Sequence, residues 1–280
     1  MRLIVILATL LTAATAFAQR TRGIDVSQFQ GTMNWETAYD NDIRFAFVRS
    51  TRGGLSSATG QVFDTRFDEN IAALGTLADA GKPIYHSAYH FARPDTIPNG
   101  ASNADIANAA IAEATHFVNV AGYTMVPGNL RPVLDLEAGG DNLTRAELSF
   151  WANTFMDEVE RQTGAEPLIY MNTNYAVNFI DGSLADRDLW IANWNQTSYG
   201  NPVTGNGGPP TGAIPDWAFW QYSADGNGMG ATFGASSTDL DLNVANGDLA
   251  FVESFLIQPI PEPAGLGALM FGGLFLRRRR

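Results

Sequence analysis

Short apolar segments alternate with longer stretches of helical period along the first two thirds of the chain. Residues 23–27 (GIDVS), 43–50 (IRFAFVRS), 83–90 (PIYHSAYH), 131–137 (RPVLDLE) and 167–171 (PLIYM) read as strands, brief and bounded by turn or polar residues. Between them the period changes. Phe67, Ile71, Leu74 and Ala78 fall on one helical face, and Gly81 ends that run. Ile106, Ala110, Ala114 and Phe117 do the same over residues 103–120. Thr144 and Glu147 carry the signature of a capping box, which opens a helix with Leu148, Trp151, Phe155 and Val159 inward and a stop at Gly164.

After Met171 the rhythm is lost. Residues 189–192 (LWIA), 217–222 (WAFWQY) and 240–244 (LDLNV) are strand candidates without proper helices between them. Residues 195–216 are rich in Gly, Pro and Asn and cannot hold a long helix. The pattern therefore predicts an α/β fold of eight strands, with helices mainly after the early ones. Strands alternating with helices favour parallel pairing, and eight of them suggest closure into a TIM-like barrel. An open doubly wound sheet is the competing arrangement. No glycine-rich phosphate loop follows any strand, which counts against it.

The two ends do not fit this pattern. Residues 1–18 run from Met1-Arg2 through an apolar core to Ala16-Phe17-Ala18, the form of a secretory signal peptide cut before Gln19. The end, residues 259–280, holds Pro261-Glu262-Pro263, an apolar run and a block of arginines at 277–280. That run is short of the roughly 20 residues a membrane-spanning helix needs. The three parts, in this order, resemble the PEP-CTERM sorting signal of bacterial exported proteins, in which a membrane protease removes the tail. A short tail anchor is the alternative. Export to the cell surface or medium is expected, with passing membrane association through the tail. Residues 19–258 are left as one barrel domain, expected to be monomeric.

Composition narrows the partners. The chain carries a net charge of −12, and loses basic residues if both ends are removed, so nucleic acid and anionic membranes are poor candidates. It has no cysteine, which excludes disulfides and thiolate metal sites. Six Trp, eight Tyr and 17 Phe could stack on sugar rings or fill a core.

The strongest chemical signal is Asp135 and Glu137 in VLDLE. Alternation along a strand puts both on the face of Val133, with Leu134 and Leu136 opposite. In a barrel that face looks inward, and the strand's C-terminal end opens on the active-site mouth. Crowded carboxylates raise one another's pKa, which leaves an acid able to protonate a glycosidic oxygen near neutral pH. The alternative is a pair facing solvent or a structural arginine. Asp25 and Asp241 also lie near strand ends; isolated acids there are commonly turn or cap residues. Asp239 shares a face with Asp241. His86 and His90 stand four residues apart, about 13 Å along a strand, too far for one metal. With no third ligand nearby, no metal or other cofactor is expected. No Gly-x-Ser-x-Gly occurs, so a nucleophile elbow has no support.

Taken together, these segments resemble glycoside hydrolase family 25, the Chalaropsis-type lysozymes or N-acetylmuramidases. The opening GIDVSQFQG with Met33-Asn34-Trp35, then FAFVRST, AYHFAR, PVLDLE, LIY, LWIA, WQY and DLN, follow in the family's order over residues 23 to about 250. The resemblance implies a barrel of five β/α units and three bare strands. It implies hydrolysis of the β-1,4 bond between N-acetylmuramic acid and N-acetylglucosamine in peptidoglycan. Glu137 then corresponds to the acid/base. Asp135 corresponds to the residue that orients the substrate acetamido group, which itself attacks the anomeric carbon. Asp25 and Asp241 complete the acidic floor; Tyr89, Tyr170 and Trp194 line sugar subsites or, alternatively, fill core, and Trp220 binds substrate. Arg49 and Arg52 depart from the Lys and Glu common in the family, and Trp194 from a common Tyr, which puts the preferred glycan in question. The rival readings are a hydrolase of another amino-sugar exopolysaccharide and a catalytically silent glycan-binding barrel.

Overall fold

The computed structural model describes residues 19–53, 62–205 and 207–259. Residues 1–18 of the predicted leader and 260–280 of the predicted tail lie outside them. Among the described residues, no helix is long and apolar enough to cross a membrane.

The strands are β1 Arg22–Val26, β2 Ile43–Arg52, β3 Val62–Phe63, β4 Tyr85–Phe91, β5 Val133–Asp135, β6 Leu168–Asn172, β7 Leu189–Ala192, β8 Phe219–Ser223 and β9 Asp241–Ala245. They pair in the order β1-β9-β8-β7-β6-β5-β4-β2, and β1 also pairs with β2, so eight strands close a barrel. β3 is a two-residue ribbon paired antiparallel with the end of β2. All eight candidate strands are present, as the pattern predicts. The expected parallel arrangement holds for seven of them. β9 runs antiparallel to both its neighbours, β8 and β1. The physical reason lies in the connection. A parallel return needs a long crossover, usually a helix, and the segment between β8 and β9 holds only short 3₁₀ turns.

The helices are α1 Trp35–Asp40, α2 Phe67–Asp79, α3 Asn103–Ala121, α4 Arg145–Thr163, α5 Thr173–Asn178, α6 Gln196–Tyr199 and α7 Leu249–Glu253. The three long ones, α2 to α4, follow the early strands. Capping boxes at Ser102/Asp105 and Thr144/Glu147 open α3 and α4, and Gly164 closes α4 in the left-handed conformation. Between residues 195 and 216 there is one turn of helix, α6, in agreement with the Gly/Pro-rich composition. The sequence reading missed α1, which is capped by the Asn34 side chain.

Two apolar layers follow from strand alternation. Outward residues such as Ile24, Val48, Leu134 and Ile191 pack against the helices, with Trp151, Phe155 and Phe117 among the largest contributors. Inward residues fill the lumen: Phe45, Phe47, Val133, Leu168, Trp190 and Phe219. Phe47 stacks on Trp190 at 4.2 Å between ring centroids, and Phe45 meets Phe219 at 5.0 Å. Val252 and Phe255 from the α7 segment close the lower end, where Leu130 bridges to Leu256. Each such fully buried side chain contributes roughly 1.5–3 kcal/mol of transfer free energy. The lumen is thus a dry aromatic plug, and what stands above it stands on a low-dielectric floor.

Gly23 shows how tightly this plug is fitted. It faces inward on β1, and a Cβ there would fall inside the van der Waals envelope of the Phe45 ring. Gly23→Ala should therefore destabilise the fold by about 1–3 kcal/mol through overpacking. The double variant Gly23→Ala/Phe45→Leu should not show the sum of the two single losses. Urea unfolding of the four proteins checks this; strict additivity would show that the ring and the glycine are not coupled.

Candidate active site

The four acids singled out in the sequence line one cavity of about 180 Å³ at the barrel mouth, together with Tyr89 and Tyr170. Each arrives by a different local route. Asp25 lies near the end of β1 and faces inward because Ile24 and Val26 face out. Asp135 is the last residue of β5. Glu137 lies two residues beyond the strand, yet the Leu136 N–H still donates to the Tyr170 carbonyl at 2.8 Å, so the alternation persists. The chain then leaves through Gly139 at φ 91°. Asp241 opens β9, and because that strand runs backwards its first residue stands at the mouth, directly paired with Asp25. Asp239 is exposed and does not line the cavity.

A network of fixed amides surrounds Asp25. Gln221 Nε2 donates to Asp25 Oδ2 at 3.0 Å, and Asn243 Nδ2 donates to the same oxygen at 2.7 Å. Both amides are oriented from behind by groups that donate. The Trp190 indole N–H donates to Asn243 Oδ1 at 2.8 Å. The Tyr170 hydroxyl and the Trp194 indole N–H reach Gln221 Oε1 at 3.0 and 3.2 Å. An indole N–H can only donate, so it turns each amide oxygen toward itself and each NH₂ toward Asp25.

Charge crowding sets the protonation. Burial pushes the Asp25 carboxyl up to about 6, opposed by the hydrogen bonds from Gln221 and Asn243. Burial and then the Asp25 charge push Asp241 up to about 10, so the proton these two share rests on Asp241. Asp135 is raised well above the usual carboxylate range by burial, then by Glu137 and Asp25, with Arg49 opposing. Glu137 is raised by burial and by Asp25, with a hydrogen bond from Tyr170 opposing. Asp135 Oδ1 is buried and has no hydrogen-bond partner among the described residues. A buried polar atom left open in this way is a natural contact for a bound molecule.

Glu137 also lines a second cavity of about 420 Å³, with Asn172, Thr173, Asn193 and Trp194. On the other side, Phe29, Arg49 and Phe91 are shared between the acid cavity and a third hollow of about 250 Å³. The three lie side by side at the mouth, with Glu137 on the boundary between the first two and Phe29, Arg49 and Phe91 on the boundary of the third. A larger hollow of about 750 Å³, lined by Met33, Trp35 and Leu77, contains none of the four acids.

Of the aromatic candidates, Trp194 is 61% exposed in the cleft. Trp220 is not in the cleft. It is fully buried in the outer layer against Trp217, and its indole N–H donates to the Asn193 carbonyl. Alternation on β8 turns Trp220 out and Gln221 in, so the expected subsite role for Trp220 is corrected. Trp190, not singled out in the sequence, lines the acid cavity. So does Phe29, which is 71% exposed; a large ring left bare at a polar mouth is visible only in three dimensions. His90 faces outward, between Thr51 Oγ1 at 2.8 Å and Glu113 Oε2 at 2.9 Å, and is structural.

The sequence profile described as "Glycosyl hydrolases family 25" matches residues 24–231. The chain belongs to this family. Lysozyme M1 of Streptomyces globisporus is 29% identical over 248 residues, covering 85% of this chain and 72% of that protein. The N,O-diacetylmuramidase of Chalaropsis sp. is 27% identical over 208 residues, covering 72% of this chain and 87% of the relative. Among solved structures, the bacterial lysozyme from Streptomyces coelicolor superposes with a TM-score of 0.63 at 25% identity, covering 85% of this chain and 97% of that one. The chain is a family 25 glycoside hydrolase in sequence and in barrel topology.

The protonated Asp241 predicts a stability effect. Its carboxyl is near 4 when unfolded and about 10 when folded, so the folded state holds a proton that the unfolded state releases. That contribution is complete below pH 4 and is lost progressively as pH rises toward 10. Asp241→Asn needs no proton, so it should gain stability over the wild type as pH rises. At pH 8 the melting temperature should be higher by roughly 5 °C, with little gain at pH 4. Melting curves at the two pH values check this; a gain of equal size at both would show that ionisation is not the cause.

Proposed function

We propose that this protein hydrolyses the β-1,4 bond between N-acetylmuramic acid and N-acetylglucosamine in peptidoglycan, with help from the substrate's own acetamido group. The observation that carries the reading is the pair Asp135 and Glu137: a buried carboxylate oxygen with no partner among the described residues, beside a raised-pKa acid that lines two cavities. Asp135 Oδ1 accepts the acetamido N–H and turns the acetamido oxygen toward the anomeric carbon. That oxygen forms the new bond as the glycosidic oxygen leaves with the proton of Glu137. Glu137, now ionised, takes a proton from the water that opens the cyclic intermediate, which restores the acid. Asp25, held anionic by its two amides, stabilises positive charge developing on the sugar.

The names of the relatives, a lysozyme and an N,O-diacetylmuramidase, support a cell-wall glycan as substrate. The four acids on one cavity speak against a silent binding barrel. Under the same reading the leader at 1–18 exports the enzyme, and the Pro-Glu-Pro tail is presented to a sorting protease.

Purified peptidoglycan should lose turbidity on treatment, with new reducing ends on N-acetylmuramic acid. Soluble fragments with reducing N-acetylglucosamine ends, or no fragments, would reject the assignment. Glu137→Gln should cut turnover by about 10²–10⁴-fold, the usual worth of a positioned acid. Asp135→Asn should also be severe, through misplacement of the acetamido group. A substrate with an acidic leaving group that departs without protonation separates the two roles. Glu137→Gln should recover much of its rate on it and Asp135→Asn should not; the reverse pattern would exchange the assignments.

A further inference from the structure

The hollow at one end of the cleft holds a charge that the hydrolytic mechanism does not use. It is lined by Gln28, Phe29, Arg49, Arg52 and Phe91, and shares Phe29, Arg49 and Phe91 with the acid cavity. Two of the arginines near it are neutralised within the protein. Arg49 Nε donates to Asp64 Oδ2 at 2.9 Å, and the Asp64 side chain is almost wholly buried. Arg93 holds Asp95 through two hydrogen bonds of 2.7 Å. Arg52 has no ion-pair partner among the described residues, and the adjoining residues 54–61 include no acid. Its guanidinium lies over the Phe91 ring at 5.2 Å, and its Nε is buried with no hydrogen-bond partner among the described residues. Burial, then Arg93 and Arg49, make its charge costly, relieved only by Asp95.

We propose that this arm is a subsite for a carboxylate borne by the glycan, with Arg52 as the charged contact. An unpaired guanidinium on an aromatic wall offers a planar fork that matches a carboxylate, and a neutral sugar gains nothing from it. The acid cluster repels an anionic sugar from the centre of the cleft, so the carboxylated residue is directed to the arginine arm. This deepens the proposed function and rests on it for the source of the carboxylate. In peptidoglycan that is the lactyl carboxyl of muramic acid residues whose stem peptide has been removed; in another surface polysaccharide it is a uronic acid.

Calorimetric titration of Glu137→Gln protein, with Arg52 intact or changed to Gln or Lys, tests the proposal. The probes are a muramic-acid tetrasaccharide, the same compound with its lactyl carboxyl converted to a methylamide, and a uronic-acid oligosaccharide of amino sugars. Arg52→Gln should weaken the muramic-acid ligand by about tenfold, and Arg52→Lys, which keeps the charge but loses the fork, should fall between it and the parent. The methylamide should bind all three proteins alike, and added salt should shrink the tenfold difference. Equal weakening of charged and neutral probes, or no weakening of either charged probe, overturns the subsite. If only the uronic-acid probe depends on Arg52, the subsite stands and the peptidoglycan reading fails. If wild-type protein cuts peptidoglycan while Arg52→Gln changes no affinity, the subsite fails and the peptidoglycan reading stands.

Discussion

Four carboxylates share one small cavity at the barrel mouth, and the structure around them is arranged to hold them there without full ionisation. Crowded acids on an aromatic floor cannot all carry charge, so protons are retained. Which acid stays anionic is decided by what each can accept. Asp25 takes two amide N–H groups on a single oxygen, whereas Asp241 has the Asp25 charge opposite it. The asymmetry begins further back, at the indole N–H groups of Trp190 and Trp194. Because these groups can only donate, they fix the direction of Asn243 and Gln221, and those amides in turn fix the charge on Asp25. A tryptophan in the lumen therefore has two consequences: it fills space and it sets the polarity of the site.

The barrel makes this arrangement possible through one departure from a regular β/α repeat. With β9 parallel, Asp241 at its start would lie at the closed end, beside the α7 plug. With β9 reversed, the same residue faces Asp25 at the mouth. The loss of helical crossovers after Met171 and the placement of the fourth acid are thus one structural fact. The cost is retained proton binding at the mouth. It is offset by the apolar burial below, where Phe45, Phe47, Trp190 and Phe219 pack on one another.

Much of this was legible in the chain because strand alternation is strict where one face is polar. Leu134 and Leu136 place Asp135 and Glu137 inward, whereas Asp241 is marked only by the family resemblance; all three line the acid cavity. Alternation fails where both faces are apolar. In WAFWQY a single polar residue, Gln221, marks the inward face, and Trp220, given a subsite through the resemblance, lies on the opposite face in the outer layer. Strand direction is also absent from periodicity, since residues 240–244 read the same forwards or backwards. The amide network is invisible for another reason: Asn and Gln declare nothing until their donors are known.

The cleft that results is chemically unlike at its two ends, and the local folding of each end explains why. On the Trp194 side, asparagines line the wall, but their side chains are already engaged as helix caps and turn contacts. Asn172 accepts from the Tyr175 N–H and Asn195 from the Ser198 N–H. They form a neutral wall whose amide oxygens are already engaged. On the other side, Phe29 follows the capped turn that Ser27 opens, and Arg49 is braced against the buried Asp64. There the surface is aromatic and cationic. The acids lie between a neutral wall and a positive one, so a chain crossing the mouth meets a potential that changes along its length. A polymer with an anionic group on every second sugar has a preferred register in such a field, and a uniform neutral polymer does not. Register is what a cutting site with Glu137 at a cavity junction needs, since the acid can reach only the linkage beside it.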